Sequence, residues 1–191
     1  MNHSLTTATV RSDFKTHIVK PLLKKPFLGA NALSNYHPIS NLPFLSKILD
    51  KIVLRQFLAH RDTHILLCVH QPAYREGHGT ETDLISIVNH ILCALDENKT
   101  SVLLLLDLSA AFDTVDHEIL LSGLDSFFGI RSTALSWFRS YLSKRKQFKM
   151  VQDNQSSTAP LDFGVPHVSV LGPVLFILYT TPLSLLSLIH I

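Results

Sequence analysis

The chain has 191 residues, enough for one domain or two small subdomains around a substantial core, and 46% of them are apolar. Charged residues make up 17%, which argues against a disordered polyelectrolyte, and a net charge of +2 marks a nucleic-acid binder only if the cations are clustered. Cys68 and Cys93 lie in apolar stretches without a pairing motif, which argues against a secreted disulfide scaffold and for an intracellular setting, nucleus or cytoplasm.

Residues 1–17 are polar and contain no apolar signal-peptide core, so a disordered N-terminal tail is expected. HIVKPLLKKP (17–26) has extended character, and FLGANALSNYHPISNLP reads as a loop punctuated by Gly29, Pro38 and Pro43. From about Pro43 to His60, Leu45, Ile48, Leu49, Ile52, Val53 and Phe57 recur at helical steps. The next stretch, HRDTHILLCVH, places His60, His64 and Cys68 at four-residue spacing with His70 close by. Zinc can use such ligands, but the spacing matches no recognised finger, and ordinary core or surface histidines are the expected reading.

A loop, QPAYREGHGTETD, leads into a helix over about 80–96, with Thr80 or Thr82 as N-cap and Ile85, Val88, Leu92 and Leu95 as its apolar stripe. The run SVLLLLD (101–107) is too short and too continuously apolar for a surface helix, and reads as a strand buried on both faces. Asp116 is placed to cap a helix to about Phe128, ended by Gly129, and a further helix spans Ser132 to Leu142. SKRKQFKMVQDNQSSTAP reads as two extended pieces around an Asp-Asn-Gln-Ser-Ser turn. FGVPHVSVLGPVLFILYTTPL is a glycine- and proline-marked loop leading into a helix. Thr180, Thr181, Pro182, Ser184 and Ser187 interrupt its apolar run, so a core helix broken at Pro182 is expected rather than a membrane span. The order of elements is α+β, without the regular alternation of a Rossmann-type fold.

The chemistry concentrates at Asp107. A carboxylate at the end of a buried strand is costly unless a cation or strong donor meets it. Metal-dependent phosphoryl transfer uses that arrangement, with hard oxygen ligands on a rigid element; a simple turn-capping role fits the spacing equally well.

SVLLLLDLSAAFDTVDHEILL closely resembles the first catalytic motif of reverse transcriptases from non-LTR (LINE-type) retrotransposons. NYHPISNLPFLSKILDKIV and QPAYREGHGTETDL resemble finger segments of that family, and GVPHVSVLGPVLFILYTTPL resembles its glycine-proline loop and helix. Four blocks in the family's order cover nearly everything from about residue 18 onward. The resemblance implies an α+β right-hand polymerase fragment: fingers over 18–98, and from 99 to 191 part of a palm whose sheet is incomplete.

It also implies roles. Asp107 would bind the catalytic Mg²⁺ (or Mn²⁺), with the backbone carbonyl of Leu108 as a further ligand. Phe112 is similar to the steric gate that rejects a 2′-OH; without the resemblance, ordinary core packing would be the expected reading of a phenylalanine there. Asp113 and Asp116 would shape the turn and the helix start beside His117. Lys20, Lys24 and Arg75 would meet the incoming triphosphate, with Gly164, Pro166, His167 and Ser169 near the nucleotide. Lys25, Arg139, Lys144, Arg145, Lys146 and Lys149, with Phe148 interleaved, would suit a nucleic-acid backbone, or simply form a solvated charged face. The partners implied are an RNA template, a DNA primer and deoxynucleotide triphosphates.

The sequence departs from the family in three places. Where the family loop reads G-V-P-Q-G-S, this chain has His167 and Val168, and a β-branched residue in the glycine position should strain or block the pocket. His37 stands where the family has arginine, losing a permanent charge. The second carboxylate motif, an Ala-Asp-Asp hairpin, does not occur before Ile191. The expectation is therefore a domain fragment without efficient polymerase activity by itself, the alternative being a non-catalytic nucleic-acid-binding remnant.

Overall fold

The computed structural model describes residues 2–64, 77, 79–103, 108, 110–166 and 168–187. In chain order these form α1 (Asn2–Thr6), β1 (Thr16–Leu23), β2 (Tyr36–Asn41), α2 (Phe44–His64), α3 (Thr80–Asp96), α4 (His117–Ser126), α5 (Ser132–Leu142), β3 (Arg145–Val151), β4 (Asn154–Gln155), β5 (Ala159–Leu161) and α6 (Gly172–Ser187). The α+β class expected from the sequence is what the chain adopts.

Among the described residues the strands join in the order β2-β1-β3-β4, with β5 also on β3. β1 runs antiparallel to β2 and parallel to β3, from Thr16↔Lys146 to Val19↔Lys149. On the other edge of β3, β5 lies opposite 145–147 and β4 opposite 150–151. The β1–β3 ladder joins strands from the two sides of residue 98.

The segment around Pro38 is a strand, not the loop its prolines suggest. β2 is an edge strand, and Pro38 faces Pro21 in register, so neither missing N–H has to serve the other. Pairing of β1 with β3 has already ended at Val19, which frees Pro21 from that ladder too.

Helices α2, α4, α5 and α6 enclose the core. Leu49, Val53 and Phe57 of α2 meet Leu120, Leu121 and Leu124 of α4, Trp137, Phe138, Tyr141 and Leu142 of α5, and Leu175 and Leu178 of α6. Asp116 caps α4, its Oδ1 accepting from the N–H groups of Glu118 and Ile119 at 2.9 and 3.0 Å. Gly129, at φ +64°, turns the chain so that the Ile130 N–H reaches the Leu124 carbonyl.

Several expectations are corrected. Residues 2–17 are not a loose tail: Val10 is buried, its N–H donates to Ser140 Oγ at 2.9 Å, and Trp137 Nε1 donates to Ser4 Oγ at 3.1 Å. A few apolar contacts and two hydrogen bonds to α5 anchor a segment whose composition alone looks soluble. Gly79, rather than Thr80 or Thr82, caps α3, with the Thr82 hydroxyl bridging the Gly79 N–H and C=O. The α3 stripe is exposed, Ile85 by 69% and Leu95 by 56%. Ser101–Leu103 are exposed and outside any strand; the rest of that run, Leu104–Asp107, lies outside the described residues.

Helix α6 continues through Pro182 instead of breaking there. The Thr180 hydroxyl bonds back to the Phe176 and Ile177 carbonyls, and that of Thr181 to Ile177, which supports the turn just before the proline. Among the described residues no helix is long and apolar enough to cross a membrane.

Candidate active site

The segment after Asp107 folds back as a tight turn. Ala110 takes a left-handed conformation at φ 52°, and the Asp113 N–H donates to the Ala110 carbonyl at 2.8 Å. Phe112 is half-buried on this turn, its ring centroid 5.1 Å from that of Phe176 on α6. The ring therefore has a packing role, and it retains an accessible side on which a gate would depend.

The glycine-proline loop is fastened to this turn. The Gly164 N–H donates to the Val115 carbonyl and the Val165 N–H to the Phe112 carbonyl, both at 2.8 Å. His117 Nε2 donates to the Gly164 carbonyl, also at 2.8 Å. A Cβ at position 164 would sit 2.9 Å from the Phe112 carbonyl oxygen, and φ is +86°. Glycine is needed there for approach to the Phe112 turn. Gly164, Val165 and Pro166 are all buried.

Ser169 is also buried. Its hydroxyl donates to the Pro166 carbonyl at 2.8 Å and accepts from the Gly172 N–H at 2.7 Å, so it stitches the loop to the start of α6. Ser169 and Pro166 thus support the loop from beneath. Val168 is 39% exposed.

Asp107, Arg75 and His167 lie outside the described residues, as do Cys68 and His70 of the histidine-cysteine stretch. Leu108 is half exposed. Among the described residues no group of His, Cys, Asp and Glu is suited to hold a metal. The ring of His60 is engaged at 3.1 Å with the Phe128 carbonyl.

The cations divide into separate sets. Lys20 on β1 and Lys146 on β3 are exposed on one face of the sheet, with Ile18 opposite Phe148 between them. Lys149 falls on the opposite face, level with Val19. Lys24 and Lys25 are exposed beyond β1, Lys25 with its ammonium 5.6 Å from the Phe27 ring, and Lys144 is exposed at the start of β3. Arg139 is paired with Glu118 at 2.8 Å, tying α5 to α4.

Arg145 does not belong to a nucleic-acid surface. It is 2% exposed, because alternation along β3 turns it to the inner face while Lys146 faces out. Its Nε donates to His17 Nε2 at 2.9 Å, its Nη1 donates to the Tyr141 carbonyl at 2.6 Å, and its guanidinium lies 4.6 Å from the Tyr141 ring centre.

Around it runs a polar cluster that the basic run conceals. The Tyr141 hydroxyl donates to Asp50 Oδ2 at 3.3 Å, and His17 Nδ1 lies 3.1 Å from Ser40 Oγ. Burial pushes Asp50 up to about 6, against the opposing pull of Arg145, the Tyr141 hydroxyl and the backbone N–H groups of Val170 and Leu171. Burial, then Arg145, pushes His17 down to about 3. Burial likewise raises Tyr141 and lowers Arg145. One signal for this cluster lies in the sequence: Asp50 falls on the helical face of Ser46, Leu49, Val53 and Phe57, where a carboxylate has no business unless it is paired.

A model of the reverse transcriptase (RNA-dependent DNA polymerase) family matches residues 22–186. The chain belongs to the reverse transcriptase family. It is 29% identical over 169 residues to a probable RNA-directed DNA polymerase from transposon BS of Drosophila melanogaster, covering 88% of this chain and 18% of that protein. It is 32% identical over 149 residues to the RNA-directed DNA polymerase from mobile element jockey of the same species, covering 78% and 16%. With the probable RNA-directed DNA polymerase from transposon X-element the identity is 30% over 164 residues, covering 83% and 17%. The chain thus spans less than a fifth of the length of these curated relatives. As a reverse transcriptase segment it has the α+β composition of fingers and palm, and this family in general uses divalent metal ions and acts on nucleic acid.

Proposed function

We propose that residues 110–116 and 164–172 form the nucleotide side of an RNA-directed DNA polymerase site, serving template-directed DNA synthesis on a primer. The observation that carries this reading is the pair of 2.8 Å backbone hydrogen bonds joining the Phe112 turn to the Gly164 loop. They bring together two sequence blocks that each resemble a polymerase motif and lie about fifty residues apart.

In this reading Asp107 would hold Mg²⁺ or Mn²⁺, with the Leu108 carbonyl as a further ligand. The metal would neutralise triphosphate charge and activate the primer 3′-OH. Phe112 closes the space beside C2′ of the sugar, so that a ribose hydroxyl meets a ring with no hydrogen-bond partner to offer. Arg75, Lys20 and Lys24 supply positive charge to the triphosphate, with His167 beside the base. Lys20 and Lys146, with Phe148 between the strands, offer cations and an aromatic to template or primer backbone.

Binding of dTTP and UTP to the 191-residue chain, with and without Mn²⁺, tests the proposal. Metal-dependent binding that prefers dTTP and is lost in Asp107→Ala is expected. Metal-independent binding, unaffected by that substitution, would refute it. A non-catalytic nucleic-acid-binding role is favoured instead if salt-sensitive RNA binding through Lys20 and Lys146 persists without any nucleotide binding.

A further inference from the structure

We propose that Asp50 and Tyr141 are positioning residues for the 164–172 loop, holding it against the Phe112 turn from the protein interior. This rests on the reading above that the loop and the turn are the nucleotide side of the site.

Hydrogen bonds and electrostatic interactions run from the core to the loop. Asp50 of α2 is fully buried, and Tyr141 of α5 is 1% exposed. The Tyr141 hydroxyl donates to Asp50 Oδ2 at 3.3 Å and also lies within interaction range of the Ser169 side chain. The backbone N–H groups of Val170 and Leu171, just ahead of α6, favour the charged form of the same carboxylate. Ser169 in turn bonds the Pro166 carbonyl and the Gly172 N–H, and two residues before Pro166 the Gly164 N–H holds Val115. A Cβ on Gly172 would run into the Pro166 carbonyl and Ser169 Oγ, so the loop is closed on itself without slack. Contacts therefore lead from a carboxylate in the core, through one phenol and one hydroxyl, to the turn that carries Phe112.

A carboxylate accepts from the Tyr141 hydroxyl through Oδ2, while its Oδ1 is buried with no hydrogen-bond partner among the described residues; an amide of the same shape would lose the negative charge that the Val170 and Leu171 N–H groups favour. Arg145 supplies the opposite charge in the same buried space and fixes Tyr141 through both its carbonyl and its ring face. Leaving Asp50 without that charge would strand a buried anion, so the cation on β3 is part of what holds the loop. No residue of this group reaches a substrate; the effect passes through the loop backbone.

Hydrogen exchange of the full chain, measured without nucleotide at pH 7.5, tests the proposal. Asp50→Asn is expected to speed exchange of amides in 164–172 about tenfold or more, the scale of one lost charge-assisted hydrogen bond, while amides of α4 at 120–126 change little. Asp50→Glu, which keeps the charge but adds a methylene, should stay closer to wild type than Asp50→Asn. A role in filling space predicts the reverse order, and that order would overturn the proposal. A uniform rise across the chain, like that of the core control Phe128→Leu, would overturn it as well. If Asp50→Asn does not fold, Tyr141→Phe, which deletes one hydroxyl, is judged by the same local pattern. Mn²⁺-dependent dTTP binding then separates the two levels. Absence of binding in wild type refutes the polymerase reading alone and leaves the exchange result standing. Binding that is unchanged in a variant with a loosened loop refutes the positioning role.

Discussion

Arg145 Nε donates to His17 Nε2 at 2.9 Å, and this single bond sets the tautomer of a buried histidine. A guanidinium only donates, so Nε2 must present its lone pair, and the ring proton sits on Nδ1, facing Ser40 Oγ at 3.1 Å. Protonating Nε2 would break the bond and set two buried cations against each other, which is the direction in which His17 is shifted.

The pH dependence of stability follows. His17 is held down at about 3 from an ordinary 6.5, so its contribution is complete above pH 6.5 and is lost as pH falls toward 3. Asp50 is held up at about 6, so its contribution is complete below about 3.8 and is lost as pH rises through 6. Between pH 4 and 6 the two oppose each other. Chemical denaturation across this range is expected to show His17→Gln gaining on wild type as pH falls, and Asp50→Asn losing, each by up to about 1.4 kcal/mol per pH unit. Parallel curves for wild type and both variants would remove this linkage.

Gly164→Ala must carry a side chain at φ +86° with its Cβ 2.9 Å from the Phe112 carbonyl oxygen. A loss of about 1–3 kcal/mol is expected in urea unfolding, because both strain and a displaced turn contribute. Gly29→Ala, with nothing within 4 Å of its Cβ, should change stability by no more than about 0.5 kcal/mol. Equal effects at the two positions would contradict the close approach assigned to Gly164.

Among the cations, Arg145→Ala should cost about 3–5 kcal/mol by stranding Asp50 and His17, whereas Arg139→Ala removes only an exposed pair with Glu118, worth about 1 kcal/mol or less. Lys146→Gln and Lys20→Gln should leave unfolding unchanged and each reduce the salt dependence of RNA binding by about one unit of slope. An unchanged slope in both would remove the outer sheet face as a nucleic-acid surface.

Much of this was visible in the sequence where a local pattern determines structure. Helix α5 runs from Ser132 to Leu142 and α3 from Thr80 to Asp96, as periodicity indicates, and Asp116 caps α4. Tertiary context decided the rest. Pro38 hid β2, because only the pairing partner shows that its missing N–H is harmless. Arg145 hid among lysines, since one step along a strand exchanges inner face for outer. The loop contacts of Gly164 and Ser169 show only in three dimensions, and Asp50 and Tyr141, about ninety residues apart, become a pair only when α2 and α5 pack.

Asp116→Ala offers a local check on the turn. Loss of the two bonds to Glu118 and Ile119 should cost about 1 kcal/mol, read by thermal unfolding, and leave the Gly164 contacts intact. No loss would mean that the cap adds nothing to α4.

The central claim is that Phe112 and the loop fastened beneath it form the sugar side of a nucleotide site served by Asp107. Equilibrium binding of dTTP against UTP in Mn²⁺, compared between wild type and Phe112→Ala, tests it most directly. Wild type is expected to prefer dTTP, and the preference to narrow by about tenfold or more in Phe112→Ala through tighter UTP binding. An identical dTTP-to-UTP ratio in the two proteins would contradict it.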